Sequence, residues 1–197
     1  MQLKMKLEEA LSLTFIKMNK NLERIIDIPE RIEVIISGNK ITIKGNGKEI
    51  AREFDNGKIS IKIKDGKIVL SAKGATRRES KMIGTIWAHL KNMVKGISED
   101  FVYNLEICNV HFPMNVKVEG NQIIIKSFLG EKAQREARIM PSSKVDIKGN
   151  QIIISSRDIE AAGQTAANLE KATRLTGRDR RIFQDGIFIT KKPYKVI

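Results

Sequence analysis

The hexapeptide Gly-Asn-Gln-Ile-Ile-Ile stands at residues 120–125 and returns letter for letter at 149–154. Two looser spellings precede it, Gly-Asn-Lys-Ile-Thr-Ile at 38–43 and Asp-Gly-Lys-Ile-Val-Leu at 65–70. Each spelling sets a two-residue turn signal ahead of branched apolar residues, and a run of alternating apolar and polar residues precedes each turn. Gly-Asn and Asp-Gly between such runs mark β-hairpins, because these residues tolerate positive φ. In "KISIKIK" the residues Ile59, Ile61 and Ile63 share one face, and Lys58, Lys62 and Lys64 share the other, so one face is core and the other a row of cations.

The period then lengthens. From Ala75 onward, Met82, Ile86, Leu90 and Met93 form a helical stripe that ends at Gly96, opened by a capping box between Thr76 and Glu79. A second helix follows the last hairpin, with Asp158 as its N-cap and Ala162, Ala166, Leu169 and Ala172 along one face. The order hairpin, hairpin, helix thus occurs twice. Equivalent landmarks are offset by 82 residues (Gly38 to Gly120), 84 (Asp65 to Gly149) and 79 (Leu90 to Leu169). Four turns and two helices in one repeated order indicate an internal duplication. The expected fold is α+β, with two tandem domains, each a small mainly antiparallel sheet packed on one helix. The expected segments are an N-terminal amphipathic helical extension over 1–24, repeats over 25–104 and 105–176, and a basic C-terminal tail over 177–197. The extension rests on Leu3, Leu7, Leu11, Phe15, Met18 and Leu22, spaced along one helix face. Glu8 and Glu9 interrupt any secretory-signal pattern there, and no apolar run is long enough to span a bilayer.

Charge narrows the function. With 36 Lys and Arg against 23 Asp and Glu, the net charge of +13 favours a polyanionic partner, nucleic acid before a membrane face. Eight basic residues against two acids give +6 in the stretch from Lys171 to Ile197. Its cations are Lys171, Arg174, Arg178, Arg180, Arg181, Lys191, Lys192 and Lys195. The arginine fork suits bidentate phosphate contact, and the interleaved Ile182, Phe183, Ile187, Phe188 and Ile189 argue against a purely solvated tail. A second basic stretch, Lys132, Arg135 and Arg138, reads as an extended polar loop or hairpin projecting from the sheet, and equally well as a solvated face. Aromatic residues are only 5% of the chain, so a grip on folded, double-helical RNA fits better than base stacking along a single strand.

Catalytic chemistry is not visible. His89 and His111 lack neighbours at metal-ligand spacing and read as packed or surface rings. The single cysteine, Cys108, reads as packing in a reducing cytosol. No nucleophile elbow or phosphate-binding loop occurs, and the adjacent carboxylates Glu8 with Glu9 and Glu99 with Asp100 have no pocket signature around them. No catalytic residue, metal or cofactor is expected.

The segment "RIFQDGIFITKK" (Arg181 to Lys192), the helix "AAGQTAANLEKATR" before it, "IPE" at Ile28 to Glu30 and "HFPM" at His111 to Met114 together resemble the archaeal and eukaryotic branch of the family of the sixth protein of the large ribosomal subunit. The likeness spans Ile28 to Pro193. It implies a non-catalytic ribosomal component in the cytoplasm, with partners in large-subunit rRNA and neighbouring large-subunit proteins. It also implies a C-terminal domain seated on 23S-type rRNA beside the sarcin-ricin loop, near where translational GTPases dock. On that resemblance Arg178, Arg180, Arg181 and Lys192 meet rRNA, Lys132, Arg135 and Arg138 fall in the corresponding loop, and Asp185-Gly186 shapes a turn returning "IFI" to the sheet. The bacterial Tyr-Lys-Gly-Lys-Gly ending is absent. Residues 1–24 exceed what this branch carries, and Met18 offers an alternative start. Two further readings are a free-standing RNA-binding regulator or RNA chaperone, and a basic adaptor that binds proteins through strand edges.

Overall fold

The computed structural model describes residues 20–196. The helix expected over 1–24 lies outside the described residues as far as residue 19. From Lys20 the chain is strand, and Leu22, assigned above to the helix face, packs against the first core instead.

Two compact units emerge among the described residues, the first ending at Ser98 and the second beginning at Glu99. In the first, strands β1 (Lys20–Asp27), β2 (Ile32–Ser37), β3 (Lys40–Gly45), β4 (Lys48–Glu53), β5 (Ser60–Lys64) and β6 (Lys67–Ala75) precede helix α1 (Arg77–Ser98). They form two three-stranded sheets, β2-β3-β4 and β1-β6-β5. The second unit repeats the plan with β7 (Phe101–Cys108), β8 (Asn115–Glu119), β9 (Gln122–Lys126), β10 (Arg135–Arg138), β11 (Lys144–Lys148), β12 (Gln151–Ser156) and helix α2 (Ile159–Ala172). It then adds β13 (Gly186–Lys192) and β14 (Lys195–Val196), giving sheets β10-β9-β8 and β11-β12-β7-β13-β14. Strand for strand the pairings correspond: β6 and β12 are each central to a hairpin and to the strand that opens the unit.

The four repeated spellings make the hairpins. Gly38, Gly120 and Gly149 have φ of +61°, +60° and +59°, the first position of a type II′ turn, which few residues with a Cβ adopt. The alternation behind each turn sends two residues fully inside: Ile41 and Ile43, Ile68 and Leu70, Ile123 and Ile125, Ile152 and Ile154 are all at 0% exposure. That shared inward pair is why the letters recur. In the first unit they meet Ile83, Ile86 and Leu90 of α1, and in the second Ala162, Ala166 and Leu169 of α2. The small side chains of α2 let it approach β7 closely: a Cβ on Gly163 would lie 2.9 Å from the Tyr103 hydroxyl.

Both helix starts follow the sequence. Asp158 accepts the Glu160 N–H at 2.9 Å, and Glu79 accepts the Thr76 N–H at 2.9 Å while the Thr76 hydroxyl accepts the Arg78 N–H at 3.3 Å. Five strands were not foreseen: β1, whose start was expected as helix, β14 in the expected tail, and β4, β7 and β10. β4 follows an Asn46-Gly47 turn. β7, with Phe101, Leu105 and Ile107 buried, runs through residues 104 and 105, where the sequence suggested that the repeats part. β10 takes part of the expected projecting loop and pairs with β9, Ala137 opposite Ile123.

At the outer side of β1 no further strand pairs among the described residues, whereas β7 carries β13 there. Matching Ile68 of one hairpin to Ile152 of the other makes Ile25 (opposite Val69) equivalent to Asn104 (opposite Ile153). The Asn104 carbonyl accepts the Thr190 hydroxyl of β13 at 3.1 Å. The Ile25 carbonyl accepts the Trp87 indole N–H of α1 at 3.2 Å.

Candidate nucleic-acid interface

In the second unit the cations cluster on the chain between α2 and β13. Helix α2 ends at Thr173, whose buried hydroxyl accepts the Ile187 N–H at 3.0 Å and so ties the helix end to β13. Between these fixed points the chain makes one tight turn: the Asp179 carbonyl accepts from the N–H groups of Ile182 and Phe183 at 3.2 and 2.9 Å, and its carboxylate accepts from the Arg181 N–H at 2.9 Å. Arg174, Arg178, Arg180 and Arg181 are all exposed along this path, as is Lys171 in the last turn of α2. Backbone hydrogen bonds hold the turn while the arginine heads stay in water, an arrangement suited to a polyanion with little ordering of the chain on binding.

Asp185 anchors the far side. Its side chain is fully buried, at 0% exposure, and accepts the N–H groups of Val110 and His111 at 2.8 and 2.9 Å and the His111 ring Nδ1 at 2.6 Å. Burial pushes this carboxyl up, but the hydrogen bonds from His111 and Val110 outweigh it and hold it at about 2. The His111 ring stacks on Phe183 at 4.8 Å between centroids, and the Arg178 guanidinium lies 4.8 Å from the Phe183 centroid. One buried carboxylate thus orders, through a histidine and a phenylalanine, an arginine of the loop. The expectation of a turn at Asp185-Gly186 is corrected here: Gly186 already opens β13 opposite Cys108, and the turn lies earlier, at Asp179. A Cβ at 186 would lie 3.0 Å from the Phe188 ring, so any larger residue there makes that ring shift.

Arg135 has internal partners. It forms a bidentate pair with Glu131 at 2.9 and 2.7 Å, donates to the carbonyls of Ala172 and Arg174 at 2.9 and 3.4 Å, and lies 4.3 Å from the Phe128 ring centroid. The α2 C-terminus carries unpaired carbonyls and a partial negative charge, which a guanidinium complements. Hydrogen bonds from Arg135, and then the charges of Arg135 and Arg178, hold Glu131 below the usual carboxylate range. Arg178 therefore lies on the same side of the unit as Arg135 and Glu131. Lys132 is exposed beside this pair, and Arg138 is exposed at the other end of β10, where its carbonyl accepts from Asn168 at 2.9 Å. Lys191 and Lys192 are exposed at the far end of β13, about 17 and about 20 Å along the strand from Gly186 at roughly 3.3 Å per residue. The expected tail is folded: β13 and β14 pair, and Tyr194 meets Phe101 edge to face at 6.1 Å.

A cleft of about 450 Å³ opens beside the loop, lined by Cys108, Val110, Leu175 and Phe188, with Glu170, Arg174 and Arg180 also around it. Burial, followed by the charges of Glu106 and Asp185, raises the Cys108 thiol. Sequence reading missed the pairing of His111 with Asp185. The only signal was that both fall in stretches, "HFPM" and "QDG", that carry the family resemblance. Among the described residues no group of three or more His, Cys, Asp or Glu is placed to hold a metal ion, and no helix is long and apolar enough to cross a membrane.

Comparison with known proteins meets this architecture at both repeats. The profile of the ribosomal protein L6 family matches residues 28–100 and again 112–186, once in each unit. The chain belongs to the ribosomal protein L6 family. Its relatives include archaeal members named large ribosomal subunit protein uL6. That of Methanococcus vannielii is 42% identical over 172 residues, covering 87% of this chain and 94% of the relative. That of Aeropyrum pernix is 42% identical over 168 residues, with 85% and 92% covered, and that of Methanosarcina mazei 42% identical over 175 residues, with 89% and 99% covered. The second L6 match ends at residue 186, so it takes in the arginine loop and Asp185. L6 is a family of ribosomal, non-enzymatic proteins, and this member has a structural role.

Proposed function

We propose that the protein is a structural component of the large ribosomal subunit whose second unit binds large-subunit rRNA beside the sarcin-ricin loop, near the docking place of translational GTPases. The observation that carries this reading is the exposed arginine run at 174–181, held between α2 and β13 by Thr173, Asp179 and Asp185. Lys171, Arg174, Arg178, Arg180 and Arg181 contact phosphates. Lys132 and Arg138 extend the basic surface along β10, and Lys191 and Lys192 form a separate contact at the other end of β13. Arg135 acts by position, fixing the end of α2 from which the loop departs. Neighbouring large-subunit proteins supply the remaining contacts.

Changing Arg178, Arg180 and Arg181 together to Ala lowers affinity for large-subunit rRNA and reduces the slope of log K against log salt by about 2 to 3, at roughly 0.9 per duplex phosphate contact. An unchanged slope removes these arginines from the interface. Stable co-sedimentation of the protein with large subunits through a salt wash is expected, and recovery only in the free fraction favours a free-standing RNA-binding regulator or chaperone.

A further inference from the structure

We propose that the cleft beside the arginine loop receives one unstacked nucleobase of the rRNA, with Arg174 and Arg180 taking the adjoining phosphates; this rests on the RNA-binding reading above and sharpens it. The cleft, about 450 Å³, falls within the size range of small-ligand sites, and Cys108, Leu175 and Phe188 give it an apolar lining. Two carboxylates, Glu170 at the cleft and the buried Asp185 behind it, make the interior unfavourable to a phosphate. The cations Arg174 and Arg180 are exposed. Charge therefore divides the site, with a neutral planar group inside and anions outside, which is the division within a nucleotide.

The aromatic geometry supports the same occupant. Although aromatics are scarce in the chain as a whole, Phe183 and Phe188 both line this cleft. Phe183 already carries His111 and Arg178. Phe188 packs onto the bare backbone of Gly186, where even a Cβ would lie within 3.0 Å of the ring, and it remains 36% exposed. A half-covered ring supported from behind by glycine is a platform on which a base can stack, a contact favourable for any base and typical of recognition at RNA loops and bulges. Val110, 62% exposed, stands at the mouth.

The test uses the full chain and the large-subunit rRNA fragment it protects. Phe188→Leu keeps the apolar bulk and removes the π face. Val110→Trp covers the mouth from an exposed position, so it provides a second route if Phe188→Leu disturbs the strand. For each, affinity across a salt series and dimethyl sulfate reactivity of the bound RNA are measured. The expected result is about a tenfold loss of affinity at every salt concentration with the salt slope unchanged, and one base protected by the unaltered protein becoming reactive. If both variants bind rRNA as the unaltered protein does, with no base changing reactivity, the proposal is overturned. In that case a reduced slope in the triple arginine variant leaves the RNA-binding reading standing, whereas an unchanged slope removes both. Normal rRNA binding combined with loss of the variants from salt-washed large subunits assigns the cleft to a protein neighbour and also overturns the proposal.

Discussion

Replacing Asp185 by Asn tests whether a single buried carboxylate holds the RNA-facing loop in place. The side chain is fully buried and accepts three hydrogen bonds, from the Val110 and His111 N–H groups and the His111 ring. Its carboxyl falls from the ordinary 3.8 to about 2, which at 1.36 kcal/mol per unit corresponds to about 2 kcal/mol of stabilisation of the second unit. Because the folded value is the lower one, this stabilisation is complete above pH 4 and is lost as pH falls through 2. Asn keeps an oxygen for the two backbone N–H groups but carries no charge. At pH 7 the variant is expected to be less stable by about 2 kcal/mol, and the difference from the unaltered protein should shrink toward zero as pH approaches 2. Urea unfolding followed by the amide resonances of Leu105 and Ala166 reads this unit by itself, with the Leu90 amide in the first unit as an unchanged control. A penalty below about 0.5 kcal/mol, or one equal at pH 7 and pH 2.5, refutes the assignment of a charge-assisted anchor.

Two further substitutions separate structural from RNA-facing roles. Arg135→Lys cannot reproduce the fork that reaches Glu131 and the Ala172 carbonyl together, so a loss of about 1–3 kcal/mol is expected in the second unit. Its rRNA salt slope should be unchanged, and a slope lower by about 1 makes Arg135 a phosphate contact instead. Trp87→Phe removes the donor to the Ile25 carbonyl; the expected result is about 1 kcal/mol lost in the first unit and concentration-dependent self-association in sedimentation velocity. A monomer of unchanged stability sinks that reasoning.

What was legible in sequence was local. The turns at 38, 65, 120 and 149 carry their own backbone chemistry, the inward isoleucines follow from period two, and Asp158 caps a helix two residues away. β4 and β10 escaped notice because "KEIARE" and "REAR" show too little apolar alternation to be distinguished from polar loop; partners across the sheet make them strands. The same limit applies to the site. The basic residues could be counted, but counting cannot separate Arg178 at the surface from Arg135, which is bonded to a carboxylate and a helix end 37 residues away. Asp185 reaches its N–H partners across 74 and 75 positions, a pairing created only when β13 lies down beside β7.

The carbonyls of Ile25 and Asn104 stand at the same place in two copies of one plan, and each copy quiets that oxygen differently. The first does so from within, with the indole of its own helix, and can end where the repeat ends. The second imports a strand from beyond the repeat, and the chain running from the end of α2 to the end of β7, where Gly186 lies opposite Cys108, must cross that end of the sheet on a connecting span. That span is residues 173–185, which include four arginines. Symmetry between the halves is thus broken at a single seam, and the basic loop owes its location to how that seam was closed.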